Sequence, residues 1–164
     1  MSIVRDILRT YRAPRDVQAT RMQGPPREDR AMAVLFAGFF LIFIAQWPRL
    51  ARESHFDPTI ELNARLGAAL FVWLMIMPLA FYVVSIVLTL ILRAFGTGIT
   101  GFQIRSALFW GLLASTPVWL FAGLLGGFAP GPGFTLVSTL ALALVLVFAG
   151  AGLMTASAKR GDAL

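Results

Sequence analysis

Cysteine is absent from these 164 residues and histidine occurs once. Disulfides, thiolate metal sites and thiol nucleophiles are therefore excluded, and any imidazole chemistry rests on His55, a single histidine in a polar stretch. Charge is scarce as well. Asp, Glu, Lys and Arg make up 13% of the chain, against about a quarter in an average soluble domain, while 58% is hydrophobic and mean hydropathy is +0.78. The polar surface that a soluble fold requires is missing. Metalloprotease H-E-x-x-H and hydrolase G-x-S-x-G patterns are absent, and the long apolar runs carry no paired carboxylates, so neither an enzyme nor a cofactor is expected. The first 30 residues hold seven arginines and no apolar core of signal-peptide length, so the N-terminus is expected to stay on the mature protein.

What the chain has in quantity is apolar length. Residues 66–92 run for 27 positions without a charged side chain. A hydrocarbon core of about 30 Å takes about 20 helical residues, so this run crosses once and is too short to cross twice. Similar runs at 31–47, 106–127 and 134–158 predict an all-α polytopic membrane protein with four spans (31–158). A cytoplasmic amphipathic segment (1–30) precedes them and a short tail (159–164) follows.

Within that segment, residues 2–13 set Ile3, Val4, Ile7, Leu8 and Tyr11 at helical spacing opposite Arg5, Asp6, Arg9 and Arg12. Such a helix suits either the headgroup plane or a docking face on the protein's own spans. Pro14 opens a second short helix. Between the first two spans, residues 48–65 read as a nearly neutral polar connection, with Asp57 and Pro58 placed to start the second helix. The glycine-rich stretch 93–105 does not match a P-loop and reads as a turn, with Thr100 and Gln103 at capping-box spacing. Arg5, Arg9, Arg12, Arg93 and Arg105 are candidate contacts for lipid headgroups.

Two prolines interrupt the spans. Pro78 and Pro117 each remove a backbone donor and are expected to kink their helices, with Ser115 and Thr116 placed to compensate at the second. Gly123 and Gly127 form a G-x-x-x-G, which fits packing within the chain or dimerisation equally, and Gly150 with Gly152 offer a second small-residue surface.

The arginines also give an orientation. Four spans place both ends on one side, which carries seven arginines before the first span, two in the glycine-rich stretch and Lys159 with Arg160; the other side carries three basic residues. By the positive-inside rule both termini face the cytoplasm. Because the basic residues flank apolar spans, they read as topology determinants and no nucleic-acid partner is expected. The expected partners are the lipid bilayer and other membrane proteins or a second copy of the chain.

In its order of features the chain resembles the bacterial branch of the Yip-one domain (Ypt/Rab-interacting protein) superfamily. The resemblance rests on Ile7 and Leu8 leading to Pro14 and Val17, then the glycine-containing loop 96–102 with Arg105 ahead of a helix bearing Ala114 and Pro117. It implies an all-helical multi-pass bundle in a bacterial inner membrane that organises or accompanies other membrane proteins. Family members commonly have five spans, where this chain shows four. The eukaryotic aspartate-leucine-tyrosine-glycine-proline motif is absent, so no Rab GTPase binding carries over. A non-enzymatic structural or interaction component is the functional expectation, with a small uncoupled transporter or channel as the alternative. Proton-coupled transport is disfavoured, because the spans lack the ionisable residues that such transport places at membrane depth.

Overall fold

The computed structural model describes residues 3–23 and 25–161, with side chains to residue 158. Among the described residues every regular element is helical: α1 (Ile3–Thr10), α2 (Pro14–Arg21), α3 (Glu28–Phe56), α4 (Leu62–Phe71), a π-helical turn (Val72–Ile76), α5 (Met77–Ala94), α6 (Gly101–Phe128) and α7 (Pro132–Gly161). The segment from Leu62 to Ala94 is one continuous rod, so four helices are long and apolar enough to cross a membrane. Each expected apolar run lies inside one of them. The tail expected from 159 does not begin there, since α7 continues to Gly161; residues 162–164 and the side chains of Lys159 and Arg160 lie outside the described residues.

α6 is the centre of the bundle, packed along α3 on one side and α7 on the other. Lipid tails are as apolar as leucine, so burial from water does not hold such helices together; close packing and hydrogen bonds do. Accordingly the contacts run through small residues. A Cβ built on Gly123 would overlap the carbonyl oxygen of Ala45, and one on Gly127 would lie 2.5 Å from Pro48 Cβ. The G-x-x-x-G is therefore a notch for α3 within the chain. Gly152 is equally tight, with Ala107 Cβ at 2.7 Å, whereas Gly150 has nothing within 4 Å and packs against no neighbour, contrary to its expected role. Gly111 supplies the close approach instead, since a Cβ built there would lie 2.9 Å from the Val145 carbonyl oxygen. Around these contacts Leu35, Phe39, Ile42, Ile104, Phe109 and Val145 form the core.

Proline is accommodated in three ways. In α6, Pro117 cannot donate to the carbonyl of Leu113; the Thr116 hydroxyl donates to it at 2.7 Å, and Ser115 donates to Leu112 O at 2.8 Å. The helix runs through Pro117 unbroken. Ahead of Pro78, the π turn carries the amide of Met77 to Val72 O, five residues back, and this wider turn gives the proline ring room. Pro48 lies inside α3. The polar connection expected from Pro48 is thus helical to Phe56, because Pro48 seats against Gly127 and the Arg49–Glu53 pair at 2.9 Å supports the next turn.

That extension displaces the second start signal. Asp57 ends α3 instead of capping α4, which begins at Leu62 behind Glu61. Its carboxylate accepts from the Thr59 hydroxyl at 2.5 Å and amide at 3.2 Å and from Arg65 at 2.9 Å. These hydrogen bonds, Thr59's first, hold Asp57 below the usual carboxylate range. The glycine-rich stretch is a turn, as read. Gly96 adopts φ +68, the left-handed conformation that glycine takes without penalty, and its amide with that of Thr97 closes the end of α5 on Arg93 O and Leu92 O. Thr100 and Gln103 then form the capping box that starts α6.

Candidate functional site

The N-terminal helices dock on the bundle, and α1 turns a mixed face inward. Ile3, Val4 and Leu8 point outward, 55%, 66% and 66% exposed, while Thr10 is fully buried. What decides this is a set of polar anchors reaching α6. Trp110 Nε1 donates to Thr10 Oγ1 at 3.1 Å, Thr10 Oγ1 donates to Asp6 O at 2.7 Å, and Tyr11 Oη donates to Ala114 O at 3.0 Å. From α2, the buried Gln18 donates to Ala107 O at 3.4 Å. Thr10 and Gln18 are thus buried against α6, while Arg5, Arg9 and Arg12 stay exposed along with Ile3, Val4 and Leu8. Burial raises the Tyr11 hydroxyl above its ordinary pKa. Its ring also meets Phe148 of α7 edge-on, with centroids 5.2 Å apart.

Trp110 is the platform for this docking. It is buried at 1% exposure, with the Arg21 guanidinium carbon 3.7 Å above its ring centroid. Such stacking is worth about 2 kcal/mol or more where water is excluded. Arg21 also pairs with Asp6 at 3.6 Å, tying α2 to α1. Burial pushes the Arg21 guanidinium below its ordinary range; Asp6 opposes that shift and the like charge of Arg30 adds to it.

Between these helices and the starts of α3 and α6 lies a cavity of about 620 Å³. Its volume falls within the roughly 300–1,000 Å³ typical of small-molecule sites. Arg9, Arg21, Arg27 and Arg30 line it against a single carboxylate, Asp6. Val34, Phe109 and Trp110 give it apolar walls. Of the acids at the start of α3, Glu28 accepts both Nη2 and Nε of Arg105, and Asp29 lies 3.6 Å from Arg27. Arg9 and Arg30 make no ion pair among the described residues.

The predicted headgroup contacts thus divide. Arg9 lines the cavity; Arg5 and Arg12 are exposed on or just beyond α1, and Arg93 is exposed in the last turn of α5. Arg105 is committed to Glu28. Three cavity arginines, Arg21, Arg27 and Arg30, were not among the candidates, because linear spacing does not show that α1 and α2 fold back over the start of α3. The span hydroxyls Ser85, Thr89, Ser115 and Thr116 all donate to carbonyls of their own helices. His55 is exposed in the last turn of α3.

Fold and site together define an all-α polytopic membrane protein whose N-terminal helix pair closes a basic cavity at one end of the bundle. Compared with known families, curated proteins and solved structures, the chain matches none of them.

Proposed function

We propose that this protein is a non-catalytic component of a bacterial inner membrane, of the Yip-one type, that acts by binding partners and lipids, with both termini in the cytoplasm. The observation that carries this reading is the separation of polar and apolar structure. The charged side chains collect at the two ends of the bundle, and the hydroxyls of Ser85, Thr89, Ser115 and Thr116 inside the spans are spent on their own backbones. The second span supports it further: only 11% of its apolar window is buried within the chain, against 61% for α6, so α5 offers a long lateral surface to lipid or to another span. Four candidate spans with an N-terminal helix pair also fit the resemblance, one span short of the commoner count.

The test is purification of the tagged full chain in mild detergent, with identification of co-purifying membrane proteins. A stoichiometric partner, lost when Val83 and Val87 on the exposed face of α5 are changed to tryptophan, is the expected result. Elution as a lone monomer without specific lipid would overturn the reading. Orientation is read separately: a fluorescent-protein fusion after Gly161 is expected to be bright and an alkaline phosphatase fusion there inactive.

A further inference from the structure

We propose that the cavity between α1, α2, α3 and α6 is a binding site for one phosphate-bearing anion, with the headgroup of an anionic phospholipid as its source. Four arginines around one aspartate leave a surplus of positive charge on its walls. Two of the four are matched, Arg21 by Asp6 and Arg27 by Asp29, and Glu28 is committed to Arg105. Arg9 and Arg30 carry no such partner among the described residues. Like charges gathered around a partly enclosed space repel one another, and a phosphate relieves that repulsion while accepting two N–H donors from each guanidinium it meets.

The apolar part of the wall selects the kind of phosphate compound. Ile3, Val34 and Phe102 lie beside the arginines with accessible apolar surface, so the cavity accepts a molecule that is anionic at one end and apolar at the other. It lies where α3 and α6 begin, at the arginine-rich end of the bundle, which is the level of the headgroups if the spans cross the bilayer. α1 closes it from the side and turns Val4 and Leu8 outward, a surface suited to the acyl region of the same lipid. The assignment rests on the membrane role proposed above. Its test, however, reads lipid on the isolated chain, whereas that role is read from co-purifying proteins, so either can fail alone.

The full chain, delipidated in neutral detergent, is titrated with phosphatidylglycerol, phosphatidylcholine, glycerol 3-phosphate and inorganic phosphate, and adducts are counted by native mass spectrometry. One phosphatidylglycerol per chain is expected, held about tenfold more tightly than phosphatidylcholine, with Arg9→Gln and Arg30→Gln each weakening it about tenfold. Arg93→Gln, at an exposed arginine outside the cavity, leaves it unchanged. Ala33→Trp, which fills the cavity without altering charge, abolishes it, and far-UV circular dichroism confirms that each variant is folded. Resistance of the lipid adduct to glycerol 3-phosphate identifies the membrane source. Binding of glycerol 3-phosphate or inorganic phosphate alone, with the same dependence on Arg9 and Arg30, supports the phosphate site and overturns the lipid as its source. Equal binding of both lipids, or an equal loss in R93Q, overturns the site altogether.

Discussion

Adding one methyl group at Gly123 separates α3 from α6, and the same addition at Gly150 does not. At Gly123 the new Cβ overlaps the Ala45 carbonyl oxygen and lies 2.7 Å from the carbonyl carbon and 2.9 Å from Cα of that residue. Carbon atoms rest at about 3.5–4.0 Å, so the helices must part by on the order of 1 Å, enough to forfeit a quarter to a half of each dispersion well along the seam. Backbone cannot rotate aside as a side chain can. Overpacking of this kind costs about 1–3 kcal/mol or more. Against it stands the intrinsic helix gain of glycine to alanine, about 0.8–1 kcal/mol. Gly150→Ala carries the same gain with nothing within 4 Å to collide with. The difference between the two variants therefore isolates the clash. For a chain of this size 1 kcal/mol shifts the melting temperature by about 2–4 °C, so thermal unfolding in detergent should place Gly123→Ala below Gly150→Ala by about 2–12 °C. Coincident melting curves would refute the seating of α3 in the glycine notch.

Three other perturbations address separate parts of the structure. Thr116→Val leaves the Leu113 carbonyl without a donor and should destabilise by about 1–3 kcal/mol, whereas in a Pro117→Ala background, where the amide returns, the loss falls below about 1 kcal/mol; a double-mutant cycle without coupling would contradict the compensation. Trp110→Phe removes the donor to Thr10 and weakens the stacking with Arg21, so limited trypsin cleavage after Arg12 should quicken roughly fivefold or more while overall helicity holds. An unchanged rate would show that Trp110 does not hold the N-terminal helices. Asp57 has a depressed pKa in the fold, so its support for the turn between α3 and α4 is complete above the unfolded carboxylate value and fades as pH falls through the folded one. Hydrogen exchange at residues 57–62 should accelerate below about pH 4 in the parent, and Asp57→Asn should already show fast exchange at neutral pH and no such pH step.

The parts of the fold that were legible in the sequence are those set by near neighbours. Unbroken apolar length specified the four spans, the spacing of Thr100 and Gln103 specified the start of α6, and Thr116 beside Pro117 announced its own compensation. Features set by distant partners were not legible. Pro48 reads as a helix stop until Gly127, 79 positions away in sequence, supplies the notch that seats it. The platform role of Trp110 shows only once Thr10 is found against it. The inward face of α1 depends on distant partners in the same way: Thr10, which lies between the apolar and charged stripes, turns in because Trp110 reaches it. One signal was present and unused, since Ala107 and Gly111 stand four residues apart in the third span, as Gly123 and Gly127 do. The candidate site was the least legible part, because a cavity is a property of how elements converge.

The long separation between Tyr11 and Ala114 orders the assembly of the molecule in time. A chain made from its N-terminus has α1 and α2 complete while the carbonyl that Tyr11 will reach is still 93 residues from being synthesised, the distance from Arg21 to Ala114. Until α6 is in place, Thr10, Tyr11 and Gln18 lack the partners they reach there, so the first helices made are the last to settle. Their docking reports that the final two spans have been inserted and packed, and a chain that stops after α5 leaves its own beginning without a platform.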